Sequence, residues 1–392
     1  MLMRDVGKRL WCSLLNHLPH GDGAAPAVDG LPPELDWEVL DELCVRHLHS
    51  RLESVQHVHL SSWKQTGCYR VFVRAGSGRC WSVIYKNSVY NTEQIPALAG
   101  LPICPGVPEW LVYGSQAGEL GRYLPAVYHR AEVTPSVHYT YLLEDLAGGF
   151  ETGSGSAWIM TIARNIPAIH KAMAEWSRRV GSERLLRYDS AFYDELQGFV
   201  WRNLELYLKA TSSGAVSEMW SIRPSISAIY LREEFRTTPQ QPIHGDFNLS
   251  NILRRRGRSD GMKIIDWEWA GVGHAHADLA SLLKHAAADV EDRALRLYAG
   301  QDRRLGFEEH KRLYEWCKLG RALLDSAFLA VQCMRCPHKA VFDVHNHIRR
   351  SAANVMRICR QLGQAVAGIV FCAAVDLSSM SDLATDVLGL CC

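Results

Sequence analysis

The sequence has no apolar run approaching the roughly 20 residues that a membrane-spanning helix needs. Its longest, Ala365 to Val375, is broken by Gly368. Charge of one sign is missing too: the formal net charge is +1 over 392 residues, so no field favours nucleic acid or an anionic membrane surface. Met1 to Arg9 carries Arg4, Lys8 and Arg9, but no clean apolar core with a small-residue cleavage site follows. The 12 cysteines are scattered rather than spaced as a framework, which fits reduced thiols. These absences lead us to expect a cytoplasmic protein that binds neither nucleic acid nor membrane. The length allows two or three lobes around ordinary cores.

Two cysteine patterns need a reading. Cys333-Met334-Arg335-Cys336, with His338, His345 and His347 behind it, offers zinc's preferred ligands; a helix that happens to carry them is the plainer alternative. Cys391-Cys392 lacks the four-residue form of a prenylation signal.

Hydrophobic period divides the chain. Leu10, Leu14 and Leu15 suggest a short helix, and a Gly, Ala and Pro-rich loop runs from Gly21 to Pro33. Asp36 then caps a second helix carrying Trp37, Leu40, Leu43, Leu48 and Leu52 at helical spacing. From about Val58 the period becomes two. Tyr69 to Arg74 and Cys80 to Tyr85 flank Ala75-Gly76-Ser77-Gly78 and predict a hairpin. Tyr139 to Glu144 predicts another strand, and the glycines and serines from Ala147 to Gly155 read as a linker between lobes. Beyond them helices dominate: Trp158 to Arg179, with a break expected at Pro167, and Asp194 to Lys209. Only Pro242 to Asp266 interrupts, with Ile252-Leu253 and Met262 to Ile265 bracketing a turn. The expected fold class is α+β, divided as a helical N-terminal extension (1–56), a β-rich lobe (57–146) and a helical lobe (147–392). No internal repeat is present.

The chemistry concentrates between Ile243 and Ala280. His244-Gly245-Asp246 is followed by Asn251, and the apolar Ile264-Ile265 ends on Asp266. Phosphoryl transfer asks for one carboxylate to orient an attacking hydroxyl, oxygen ligands for Mg²⁺, and cationic stabilisation of the moving group. Asp, then Asn five positions on, then a second Asp after a hairpin supplies the base, the metal-binding amide and the metal-binding carboxylate in kinase order.

These segments, HGDFNLSNIL (244–253), IIDWEWAG (264–271) and Asp278-Leu279-Ala280, resemble the aminoglycoside phosphotransferase and choline kinase family. The resemblance implies a bilobal protein-kinase-like fold, with Asp246 as catalytic base, Asn251 and Asp266 as Mg²⁺ ligands, His244 bracing the loop and Asp278 holding it through backbone hydrogen bonds. It implies a lysine for the α and β phosphates of ATP or GTP. Lys86, ending the strand Trp81 to Tyr85, fits that role, with Glu93 as its expected partner on a short helix capped by Thr92 and crowded by Pro96. Gln65-Thr66-Gly67 sits where a phosphate loop should be. It has one glycine where protein kinases use three, and an ordinary turn explains it equally. Leu142 to Leu146 resembles the segment joining the lobes, so adenine would meet backbone near Glu144 and Leu146.

Two departures from protein kinases point to a small acceptor. Gly245 stands where those enzymes carry Arg, and no APE-like docking segment separates Asp266 from Asp278. Trp267, Glu268 and Trp269 could face an ammonium or sugar ring, or the tryptophans could simply pack the loop; Glu268 could also serve the metal. Related enzymes phosphorylate aminoglycosides, other antibiotics, amino alcohols and sugars. A nucleotide-binding pseudokinase and an atypical protein kinase are the alternatives, and a monomer or homodimer is expected.

Overall fold

The computed structural model describes residues 27–61, 67–89, 106–115, 118–135, 138–211, 240–258, 261–302, 304–335 and 357–358, with isolated positions between 217 and 227. The helix expected around Leu10, Glu93 with its helix, and Cys336 with the histidines behind it lie outside the described residues.

Helix α1 (Trp37–Leu48) starts where Asp36 accepts a hydrogen bond from the Glu38 N–H at 2.8 Å. It stops at His49, whose φ of 55° turns the chain out of the helix. Leu52 therefore does not continue the apolar stripe: it opens strand β2 (Leu52–Ser61), against which β1 (Val28–Asp29) pairs. β3 (Gly67–Ala75) and β4 (Cys80–Val89) form the expected hairpin, closed by the Gly78 N–H on Ala75 O at 2.8 Å. β5 (Val127–Thr134) and β6 (His138–Glu144) complete an antiparallel sheet of order β1-β2-β3-β4-β6-β5.

The two-residue period gives this sheet two apolar faces. Val71, Val73, Val83, Tyr85 and Leu142 bury against Leu40, Leu43 and Cys44 of α1. Tyr139, Tyr141 and Leu143 point the other way, onto Leu111, Val112 and Tyr113 of α2 (Gly106–Tyr113) and the helical core beyond. Residues 27–56 are thus part of the sheet lobe rather than a separate helical extension, because α1 has no other apolar surface to cover.

The glycine-rich stretch after β6 is also more ordered than a linker. Leu146–Gly148 makes a 3₁₀ turn, and β7 (Phe150–Thr152) pairs with β10 (Ile252–Arg255), which pairs in turn with β11 (Met262–Ile264). Helix α3 (Gly155–Val180) runs unbroken through Pro167. Burial of Ile162, Ala163, Ile166, Ile169 and Met173 on one face offsets the roughly 3 kcal/mol that an interior proline costs. After β8 (Leu186–Arg187) and α4 (Ser190–Thr211), a third small sheet joins β8, β12 (Gly271–Gly273) and β9 (Gln241–Ile243). α5 (Ala275–Leu282), α6 (Ala288–Gln301) and α7 (Phe307–Arg335) close the helical side. Among the described residues no helix is long and apolar enough to cross a membrane.

Candidate active site

The site lies where β4 of the large sheet meets the turns leaving β9 and β11. Alternation along β4 turns Lys86 away from Val83 and Tyr85, toward α2 and the helical lobe. Its ammonium donates to Glu109 Oε1 at 2.8 Å and to Asp266 Oδ1 at 3.0 Å. Glu268 Oε1 stands 3.0 Å away in an ion pair off the hydrogen-bond axis. Glu109 and Glu268 are buried, while Asp266 is about one-third exposed (36%). Burial, opposed by Lys86, pushes the Glu109 carboxyl up, and the neighbouring carboxylates of Glu268 and Asp266 add to the rise. The glutamate meeting Lys86 is thus Glu109, from α2. It was legible as the single charged residue of the helix GVPEWLVY.

The loop after β9 is held from beneath. Asp278 Oδ2 accepts from the His244 N–H at 2.9 Å and Oδ1 from the Gly245 N–H at 2.8 Å. His170 Nε2, on α3, shares Oδ2 at 2.9 Å; sequence reading passed over this residue, a lone histidine on the apolar face of a long helix. Gly245 adopts φ 81°, and a Cβ there would come within 2.2 Å of Trp269 O and 2.5 Å of Tyr188 Oη. Only glycine fits a left-handed turn with backbone that close. His244 accepts the Asp246 N–H on Nδ1 at 3.2 Å and therefore donates from Nε2 to Ile265 O at 3.1 Å. It ties the Asp246 loop to the residue preceding Asp266.

Asp246 and Asn251 face each other. Asn251 Nδ2 donates to Asp246 O at 2.9 Å and to its Oδ2 at 3.1 Å, which leaves the amide oxygen of Asn251 for another ligand. Asp246 Oδ1 accepts from Arg321 Nη1 at 2.7 Å. Burial works to raise the Asp246 carboxyl, but the Arg321 guanidinium outweighs it and holds the group below the usual aspartate range. Arg321 was not foreseen. Its signal is a charge at helical spacing from buried Tyr314 and Cys317 on α7.

Asp266 takes the left-handed conformation (φ 65°, ψ 63°), rare for a residue with a Cβ and a strain characteristic of functional sites. Of the tryptophans beside it, Trp267 offers no face to a ligand. Trp267 is fully buried, packs on His244 with centroids 4.5 Å apart and donates its indole N–H to Ile264 O at 3.0 Å. Trp269 packs half-buried on the helical core, its carbonyl accepting from Tyr188 Oη at 2.6 Å. Glu268 turns to Lys86. Of the residues considered for an acceptor site, Trp267 follows the packing alternative, Glu268 faces Lys86 and Trp269 is only partly covered.

Gly67 opens β3 opposite Asn87, one residue past Lys86, and the loop before it lies outside the described residues. The Glu144 N–H donates to Ala126 O at 2.8 Å and its carboxylate accepts from the Ala126 N–H at 3.0 Å. Asp145 pairs with Arg70 at 3.0 Å and caps Ala147, fixing the turn that carries Leu146.

Among the described residues, no set of three or more His, Cys, Asp or Glu is arranged to hold a metal by itself. The donor set still suits Mg²⁺. Three carboxylates surround one ammonium, an excess of negative charge that a further cation would offset, and Mg²⁺ ordinarily takes one or two protein oxygens and completes its shell with phosphates and water.

Comparison with known proteins accords with this geometry. The model of the phosphotransferase enzyme family (APH) matches residues 94–316, more than half of the chain, and the chain belongs to that family. Among solved structures it is similar to choline kinase from Cryptosporidium parvum (TM-score 0.55, 9% identity, covering 83% of this chain and 96% of that one). It is also similar to the choline kinase LicA from Streptococcus pneumoniae (TM-score 0.50, 14% identity, 82% and 98%). No curated protein matches the sequence. The chain is a phosphotransferase with the bilobal α+β fold of the small-molecule kinases.

Proposed function

We propose that this enzyme transfers the γ-phosphoryl group of ATP or GTP to a hydroxyl of a small acceptor. The observation carrying the reading is the convergence of Lys86, Asp246, Asn251 and Asp266, from three separate stretches of chain, on one cleft between sheet and helices. The nucleotide lies between a sheet lobe ending near residue 146 and the helical remainder. Its base edge meets the Glu144 carbonyl and the Leu146 N–H, and Lys86 holds the α and β phosphates. Asn251 Oδ1 and Asp266 would hold Mg²⁺, which supplies neutralisation of phosphate charge when bound. Asp246 orients the acceptor hydroxyl and receives its proton as the new oxygen–phosphorus bond forms. The bond to the β-phosphate oxygen breaks, and the nucleoside diphosphate leaves.

Asp246→Ala tests the assignment. Nucleotide consumption with Mg²⁺ and a panel of hydroxyl acceptors should fall by about 10²- to 10⁴-fold in the variant, while nucleotide affinity persists. Turnover at the wild-type rate would remove Asp246 from the reaction.

A further inference from the structure

Arg321 brings to the helical side of the cleft a guanidinium whose donors are only partly used. Nε donates to Asp325 Oδ1 at 3.2 Å, and Nη1 donates to Asp246 Oδ1 at 2.7 Å and to Ser281 Oγ at 3.3 Å. The two hydrogens of Nη2 meet no protein acceptor among the described residues, although only a fifth of the side chain is exposed. Guanidinium groups this enclosed usually spend their donors. The idle edge belongs to the same guanidinium that holds Asp246, the residue proposed to orient the reacting hydroxyl.

The carboxylate next to it is already paired with two cations. Asp325 gives Oδ1 to Arg321 and Oδ2 to Lys284 Nζ at 2.6 Å. Asp246 has one oxygen on Arg321 and the other on Asn251. An acceptor whose ammonium lies two carbons from its hydroxyl would therefore bring a positive charge to a positive edge whose neighbouring carboxylates, among the described residues, are already paired. A carboxylate in the same place would accept charge-assisted hydrogen bonds from Nη2, about twice as strong as those between neutral groups.

We propose that the acceptor carries an anionic oxygen group within a few bonds of the reacting hydroxyl, received by Arg321 Nη2: the enzyme phosphorylates a hydroxy acid rather than an amino alcohol. This rests on the kinase reading above and assigns the substrate class of the same cleft.

The test uses the full chain with MgATP and probes that vary one terminal group on a common carbon frame: glycerate, glycerol and 3-aminopropane-1,2-diol, and then glucuronate, glucose and 6-amino-6-deoxyglucose. Turnover is measured, and binding is followed by calorimetry with MgADP. The acid of a set should exceed the amine by about 10- to 100-fold in kcat/KM, the range for one charged hydrogen-bonded contact. Arg321→Gln should collapse that ratio mainly through KM of the acid, while Arg321→Lys, keeping charge without the fork, should retain part of it. Melting curves establish that both variants fold. A wild-type preference for the amines, a ratio unchanged in Arg321→Gln, or acids that neither bind nor react overturns the proposal. Asp246-dependent turnover of neutral or cationic probes would leave the kinase standing while this inference falls. Failure to bind or consume nucleotide at all would strike the kinase reading itself.

Discussion

On the sheet side of the cleft one ammonium, Lys86, faces the carboxylates of Glu109, Asp266 and Glu268. On the helical side Arg321 and Lys284 alternate with Asp246 and Asp325, two cations against two anions. The first arrangement carries an excess of carboxylates, eased by the raised Glu109 carboxyl and open to a further cation such as the proposed metal-bound nucleotide would bring. The second is balanced before any ligand comes, so it selects by the direction of its unused donors rather than by net attraction. The contrast separates what every phosphoryl transfer needs from what a particular acceptor needs.

Removing the lysine should break this contrast most severely. Lys86→Met leaves three carboxylates around an empty centre, and loss of one partner from a buried ion pair costs about 3–5 kcal/mol. Turnover should fall by at least about 10²-fold, and the melting temperature should drop. Added Mg²⁺ should then restore more of the melting temperature in the variant than it adds to the wild type, because it replaces missing positive charge. A melting temperature indifferent to Mg²⁺ in Lys86→Met would show that the carboxylates do not repel as their spacing requires.

Gly245→Ala should affect the catalytic loop without touching either set of charges. The new Cβ would collide with Trp269 O in a left-handed turn, and conformational strain plus overpacking together cost about 2–4 kcal/mol. Thermal melting and turnover should fall together, while nucleotide affinity should fall less than turnover, since Lys86 lies on β4, away from the collision. A selective loss of nucleotide binding would mean that the two halves share more structure than their hydrogen bonds indicate.

Legibility in the sequence follows the same division. Asp246, Asn251 and Asp266 could be read because their chemistry demands fixed residue types at short spacings within one stretch of chain. Lys86 could be read because a charge ending an apolar strand is conspicuous. Its partner could not be fixed: the expected Glu93, near a helix start, lies outside the described residues, and among those described tertiary packing brings Glu109 from 23 residues away. Arg321 is 75 residues from Asp246, and nothing local links them. Trp267 was open to two readings that only burial could separate. In the fold, the hairpin and α1 followed from period and capping. β7 did not, because three residues pairing with a distant strand leave no periodic trace.

Acid should reach the helical side by a route that involves neither charge cluster. His276, buried at the start of α5, bonds through Nε2 to His310 Nδ1 at 2.9 Å, and His310 donates from Nε2 to Asp302 O at 2.9 Å. Burial first, then His310, His274 and His170 around it, opposed by Asp302, bring His276 down to about 3. The folded value lies below the unfolded value near 6.5. The unfolded chain therefore binds the proton more readily. Neutral His276 contributes its full stability above pH about 6.5 and loses it as pH falls from there toward 3, by up to about 1.4 kcal/mol per pH unit. Melting temperature measured from pH 7.5 to 4.5 should decline, and His276→Gln should flatten the decline. An unchanged slope in that variant would put acid sensitivity elsewhere.

The smallest effect expected is also the one that discriminates most finely between the two sides. Lys284 touches Asp325 Oδ2 at 2.6 Å with a third of its side chain exposed, so Lys284→Gln should change stability by less than about 1 kcal/mol. Its consequence lies in charge: Asp325 keeps Arg321 on Oδ1, but Oδ2 loses its cation, and the balanced side becomes negative by one. Acid acceptors should then lose and amine acceptors gain, shifting their kcat/KM ratio by about two- to tenfold, the Coulomb range for one charge several ångströms away in a partly wet site. The matched probes used for Arg321 measure it directly, and raising the salt concentration should shrink the shift. If the ratio stays fixed, Asp325 acts on the acceptor only through the orientation it gives Arg321 at Nε. The selectivity of the helical side would then reside wholly in the direction of the Nη2 edge, not in the balance of charges around it.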